Sequence, residues 1–165
     1  DAMNVAVLLV AVLVVIFVAV LVTGRRIGPL ALAAAAGYIF VELWMETVRV
    51  ILGGVGINLP WLPDGVVAAL ILLLVPMGML MVGGPKYHKK HEKLVAAAVV
   101  TLLVAALLVG VLAKYLAVDG AAQTVVRQLT SWRQYIITAG LGVGLADLFL
   151  LHTVKTKSKP GPKKH

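Results

Sequence analysis

Residues 27–53 read IGPLALAAAAGYIFVELWMETVRVILG, and the architecture turns on how this stretch is taken. As a helix it is about 40 Å long, more than the roughly 30 Å of hydrocarbon in a bilayer. Three ionisable residues interrupt it: Glu42, Glu46 and Arg49. A charged side chain at membrane depth costs about 2.5–3.5 kcal/mol on insertion scales, so these three form the first candidate site. A re-entrant hairpin, supported by Pro29 and the small-residue run Ala31–Gly37, is the alternative reading of the same stretch, and a full crossing is the simpler one.

Four further apolar segments flank it, giving spans at about 3–23, 27–53, 65–83, 94–115 and 131–152. Hydrophobic residues make up 61% of the chain and charged residues 13%, half the share usual in soluble domains, which excludes a soluble globule. The expected fold is therefore all-α: a polytopic transmembrane helical bundle with five spans. The links are short, at Gly24–Arg26, Gly56–Asp64, Pro85–Lys93 and Leu116–Thr130, so consecutive spans should run antiparallel.

Lysine and arginine set the expected orientation. Arg25, Arg26, Lys86, Lys89, Lys90, Lys93 and five tail lysines make eleven of the fifteen basic residues, and five spans place all eleven on one side. Arg49, Lys114, Arg127 and Arg133 fall on the other. The N-terminus should then lie outside and the C-terminus in the cytoplasm, in the cytoplasmic (inner) membrane of a prokaryote. If residues 27–53 did not cross, the two-arginine turn and the lysine loop would fall on opposite sides. Residues 155–165, with five lysines and two prolines, should form a disordered basic tail.

The net charge of +8 is gathered between and after the spans, which suits anionic lipid rather than nucleic acid. Arg25, Arg26, Lys86, Lys89, Lys90 and Lys93 are the candidate headgroup contacts. The absence of cysteine rules out disulfides and thiolate chemistry. His88 and His91 share a loop with four lysines and lack a third ligand, so no metal site is expected. Ser131 and Ser158 stand in no nucleophile motif, and neither a catalytic set nor a cofactor is expected.

Residues three or four apart on a helix share a face, so Tyr38, Glu42, Glu46 and Arg49 make one polar stripe. Arg49 can neutralise Glu46, leaving Glu42 facing a neighbouring helix, another chain or water. Arg133, Ile137, Gly140, Gly144 and Asp147 make a second stripe on the last span. Gly140 and Gly144 have the spacing that lets two helices approach closely. Asp147 either packs against the basic interface, with Arg25 or Arg26, or serves as the inner half of a charge relay with Glu42. Spans one and four, nearly all Val, Leu and Ala, should face lipid broadly; spans two and five, which hold the polar groups, should face the interior or a partner.

The first helix beginning at Met3-Asn4-Val5, the turn Thr23-Gly24-Arg25-Arg26-Ile27-Gly28 and the small-residue helix after it resemble the start of the CvpA (colicin V production protein) family of small bacterial inner-membrane proteins. The likeness covers about the first 80 residues. That family usually has four spans, and its glycine-bearing start to the last span has no counterpart at Lys93–Ala98. The resemblance implies an accessory role in secretion or the cell envelope, without catalytic residues.

Two functions follow as expectations. The first is a non-enzymatic integral subunit or accessory protein of a larger membrane assembly, with other membrane subunits or copies of itself as partners. The second is a small transporter or proton/cation channel using Glu42, Glu46 and Asp147.

Overall fold

A computed structural model describes residues 2–57, 59–113 and 121–157. It contains helices α1 (Ala2–Thr23), α2 (Ile27–Val55), α3 (Asp64–Gly83), α4 (Lys90–Leu112) and α5 (Ala121–Lys157), with no strand among the described residues. All five are long and apolar enough to cross a membrane. The fold is the expected all-α, five-helix bundle.

Each helix boundary has a local cause. Gly24 adopts φ +61°, which turns the chain sharply between α1 and α2 and favours a residue without Cβ. α2 runs unbroken for 29 residues, with Pro29 in its first turn, so the hairpin alternative does not occur. It stops at Gly56, φ +75°, where the Gly56 and Ile57 amides bond back to the Gly53 and Leu52 carbonyls in a left-handed C-cap. α3 starts with Asp64, whose charge complements the positive end of the helix dipole, and passes through Pro76.

The last helix departs most from expectation. The link anticipated at Leu116–Thr130 is helical from Ala121 onward, and residues 114–120 lie outside the described residues. No glycine or proline follows Gly120 until Gly140, and Thr130 and Ser131 return their hydroxyls to backbone carbonyls of the preceding turn. Three residues of the anticipated tail, 155–157, continue the helix; 158–165 lie outside the described residues.

Packing does not follow chain order. α2 packs most extensively on α3, and α1 lies against α4 rather than α2. α4 is the central helix, packed on α1, α2 and α5 and touching α3 only lightly. The expectation that it faces lipid is therefore corrected: Ala96, Ala97, Val100, Leu103, Val104, Leu107, Leu108 and Leu112 are all buried. A helix apolar on every side is what a bundle centre requires, and composition alone does not separate it from a lipid-facing one. α1, equally featureless, does lie outside, with Val7, Val10, Val14, Val15 and Val18 exposed.

Close helix crossings rest on small residues. A Cβ on Gly37 would fall 2.8 Å from the Leu73 backbone, so α2 and α3 meet there nearly backbone to backbone. Gly144 faces α2, where a Cβ would come 2.7 Å from that of Ala31. Gly140 faces α4 instead, 3.1 Å from Leu103. The two glycines thus serve two different helices rather than one seam.

Gly144→Leu should destabilise the bundle by about 1–3 kcal/mol through overpacking, lowering the melting temperature in detergent. Gly142→Ala, with nothing within 4 Å of the new methyl, should leave it unchanged or slightly raised.

Candidate functional site

At the basic end, two short loops clasp each other. The Arg26 amide donates to the Pro85 carbonyl at 3.1 Å, the Tyr87 amide donates to Gly24 at 2.7 Å, and Arg25 and Lys86 form an antiparallel bridge. The two-arginine turn and the lysine loop therefore lie at the same end of the bundle, as the charge pattern requires.

Both arginines of the turn point into the protein. Arg25 is buried, and its guanidinium donates to the Met81, Val82 and Gly84 carbonyls, at 2.5 Å and 2.6 Å for the first two. These are last-turn acceptors of α3, which lack partners within their own helix, and a cation complements the negative helix end. Arg26 pairs with Asp147 of α5 at 2.7 Å and stacks 4.9 Å from the Tyr87 ring centre.

Asp147 is buried and receives donors from three elements. Arg26 reaches both carboxylate oxygens, the Gly28 amide donates to Oδ2 at 3.1 Å, and the Tyr87 hydroxyl donates to Oδ1 at 2.8 Å. The Gly28 donor is a free amide of the first turn of α2, where the helix dipole favours an anion. A Cβ on Gly28 would meet Leu148 and the Gly144 carbonyl, so only glycine lets α5 come this close. The pairing raises the Arg26 pKa, chiefly through its hydrogen bond to Asp147. Tyr87 is raised too, first by burial and then by its bond to Asp147.

The headgroup candidates therefore divide. Lys86, Lys89 and Lys90 are exposed, and Lys93 lies half-buried across Gly24. Arg25 and Arg26 are committed to α3 and α5, because three carbonyls and a buried carboxylate near them need donors.

The acidic stripe lies elsewhere, at the opposite end of α2. Glu42 and Glu46 are exposed on the side of the bundle, and Glu46 pairs with Arg49 at 3.1 Å. Glu42 makes no hydrogen bond or ion pair among the described residues. It borders an open depression of about 450 Å³ between α2 and the last turn of α4, whose lining also includes Val41, Met45, Glu46, Gly110 and Val111. Asp147 sits at the other end, so the structure does not bring the two carboxylates together.

Tyr38 is drawn away from Glu42. Its hydroxyl accepts from Nη2 of Arg133 at 3.0 Å, and the guanidinium lies 5.5 Å from its ring centre. Arg133 Nε donates to the Ala106 carbonyl at 3.1 Å. The side chain crosses α4 over Gly110, where any Cβ would overlap the guanidinium. No carboxylate pairs with Arg133 among the described residues. Fourteen residues of helix separate it from Asp147, about 21 Å along the axis. Sequence reasoning placed Arg133 on one stripe with Gly140, Gly144 and Asp147 but did not anticipate its contacts with Tyr38 and Ala106. The overlooked signal was Gly110, a lone glycine in a Val/Leu helix, which marks where something large must pass. No group of three potential metal ligands gathers among the described residues.

Compared with family models, curated proteins and solved structures, the chain matches none.

Asp147→Asn would leave Arg26 without its counter-charge and should cost about 3 kcal/mol, read as a lowered melting temperature in detergent. A phenol whose folded pKa exceeds its unfolded value of about 10 contributes fully below that pH and loses the contribution as pH rises past it. Wild-type stability should accordingly fall above about pH 10 by more than that of Tyr87→Phe, with the two curves running parallel at lower pH.

Proposed function

We propose that this protein is a non-enzymatic integral subunit or accessory protein of a larger membrane assembly. The observation that carries this reading is an inversion between polarity and burial. The most apolar window of α5 has a mean hydropathy of 1.6, yet only 17% of it is buried; that of α4 has 2.9 and is 56% buried. α1, at 3.7, can lie in lipid without loss, whereas α5 cannot.

The outer half of α5 exposes Arg127, Gln128, Ser131 and Gln134, together with Trp132 and Tyr135. Side-chain amides and hydroxyls facing hydrocarbon lose their water partners, and another helix that hydrogen-bonds to them removes that cost. The interior polar groups offer no comparable opening: Asp147, Arg25 and Arg26 bond one another's elements. A partner helix along α5 is the simplest completion of the bundle. The reading as a proton or cation carrier has less support, since Glu42 opens sideways and Asp147 is held by three donors.

The basic end, with Lys86, Lys89 and Lys90 exposed, is assigned to the cytoplasmic face of a prokaryotic inner membrane by the same charge rule. The likeness of the first 80 residues to the CvpA family favours a role in secretion or the envelope.

A photoreactive amino acid at Ser131, introduced at native expression level, should yield one discrete protein adduct. The same group at lipid-facing Val14 of α1 should yield none. Adducts at neither position, with a monomer of 17.4 kDa in mild detergent, would sink the subunit reading.

A further inference from the structure

Lys86, Lys89 and Lys90 are all exposed where α3 passes into α4, and their level in the bilayer follows from the helices on either side. α3 ends at Gly83 after 20 residues, about 30 Å of helix, and α4 begins at Lys90. Both are apolar enough to cross a membrane, so the loop between them lies where hydrocarbon gives way to headgroups. The loop is held from beneath. Gly84 accepts from Arg25 and Pro85 from the Arg26 amide, while Tyr87 is fixed by its amide to Gly24 and its hydroxyl to Asp147. Along the short extended stretch bridged to Arg25, successive side chains point to opposite sides, so Tyr87 turned inward leaves Lys86 turned outward. The bundle does little to neutralise these charges. Asp147 serves Arg26, Gly28 and Tyr87, and Glu92, the other carboxylate at this end among the described residues, approaches Lys89 at 4.0 Å. Lys86 and Lys90 make no ion pair among the described residues.

We propose that this loop binds the phosphodiester of an anionic phospholipid in the leaflet at the basic end, with Lys86 and Lys90 as its charge partners and Lys89 shared with Glu92. Charge and level together select a lipid: three cations stand at the height of the headgroups, and the backbone that carries them is already fixed, so binding orders little beyond the side chains themselves. A headgroup of net negative charge is preferred to a zwitterionic one, because a choline or ethanolamine lipid would bring its own ammonium beside the lysines. The positive end of the α4 dipole lies under Lys89 and Lys90 and acts in the same sense. Arg25 and Arg26 take no part, being committed to α3 and α5. The basic residues of the turn and loop thus divide into an internal latch and a lipid contact. The site is independent of the polar face of α5 and of the subunit reading.

The test uses the full chain in nanodiscs of equimolar phosphatidylglycerol and phosphatidylcholine, with the lipid retained on the protein identified by native mass spectrometry. Wild type should retain phosphatidylglycerol about 25-fold over phosphatidylcholine, roughly fivefold from each of Lys86 and Lys90. Lys86→Gln, Lys89→Gln and Lys90→Gln together should abolish that preference and leave the melting temperature unchanged, since all three side chains are exposed. A variant with the same loss of charge, Lys159→Gln with Lys163→Gln and Lys164→Gln, should keep the preference. Equal losses from the two triple variants would overturn the loop site in favour of diffuse attraction between lipid and the whole basic end. Equal retention of both lipids by wild type would overturn it outright. Displacement of phosphatidylglycerol by soluble glycerol 3-phosphate at equal concentration would overturn the assignment to a membrane ligand. Displacement by a polyglutamate peptide would assign the loop to an acidic protein segment instead.

Discussion

One carboxylate holds the basic end of this bundle together. Asp147 stands on the last helix, yet its donors come from the first turn between helices, the first turn of α2 and the loop between α3 and α4. Each of these elements is too short to fix its own position. The charge of Asp147 is tolerable in a buried setting only because all three converge, and their convergence is favourable only because a charge awaits them. Gly28 and Gly144 are corollaries: without two bare backbones in contact, α5 would stand too far off for Asp147 to reach Arg26.

Arg25 performs a different service from the same turn. It donates to the Met81 and Val82 carbonyls in the last turn of α3 and to the carbonyl of the C-cap residue Gly84, adding to the cap in which the Gly84 amide bonds back to Leu80. Two adjacent cations, identical in composition, thus stabilise two different helices. Of the lysines nearby, Lys86, Lys89 and Lys90 remain at the surface. Side-chain chemistry explains the division: a planar guanidinium can serve several acceptors at once, whereas a flexible ammonium is better hydrated.

The helix count, the approximate spans and the gathering of basic residues at one end were legible in the sequence, because membrane thickness and charge bias act on local composition. Neighbour relations were not. α1 and α4 are both strongly apolar, and only three-dimensional packing shows that one lies on the outside of the bundle and the other at its centre. The N-terminal third of α5 was misread as a link because polar residues suggest a loop, while a helix with an exposed side accommodates them equally well. The Glu46–Arg49 pair followed from spacing of three along one helix. The Arg133–Tyr38 contact could not, since it spans three helices and depends on a missing side chain at Gly110.

The clasp between the two basic loops also imposes an order on biogenesis. The turn at Gly24–Arg26 leaves the ribosome long before its partners Pro85 and Tyr87, and longer still before Asp147. Until α3 is inserted, Arg25 has no carbonyls to serve; until α5 is inserted, Arg26 has no carboxylate. Once the later helices arrive, the same residues become a latch. A chain arrested before α5 would display the unlatched turn, a chemically distinct mark of incomplete synthesis.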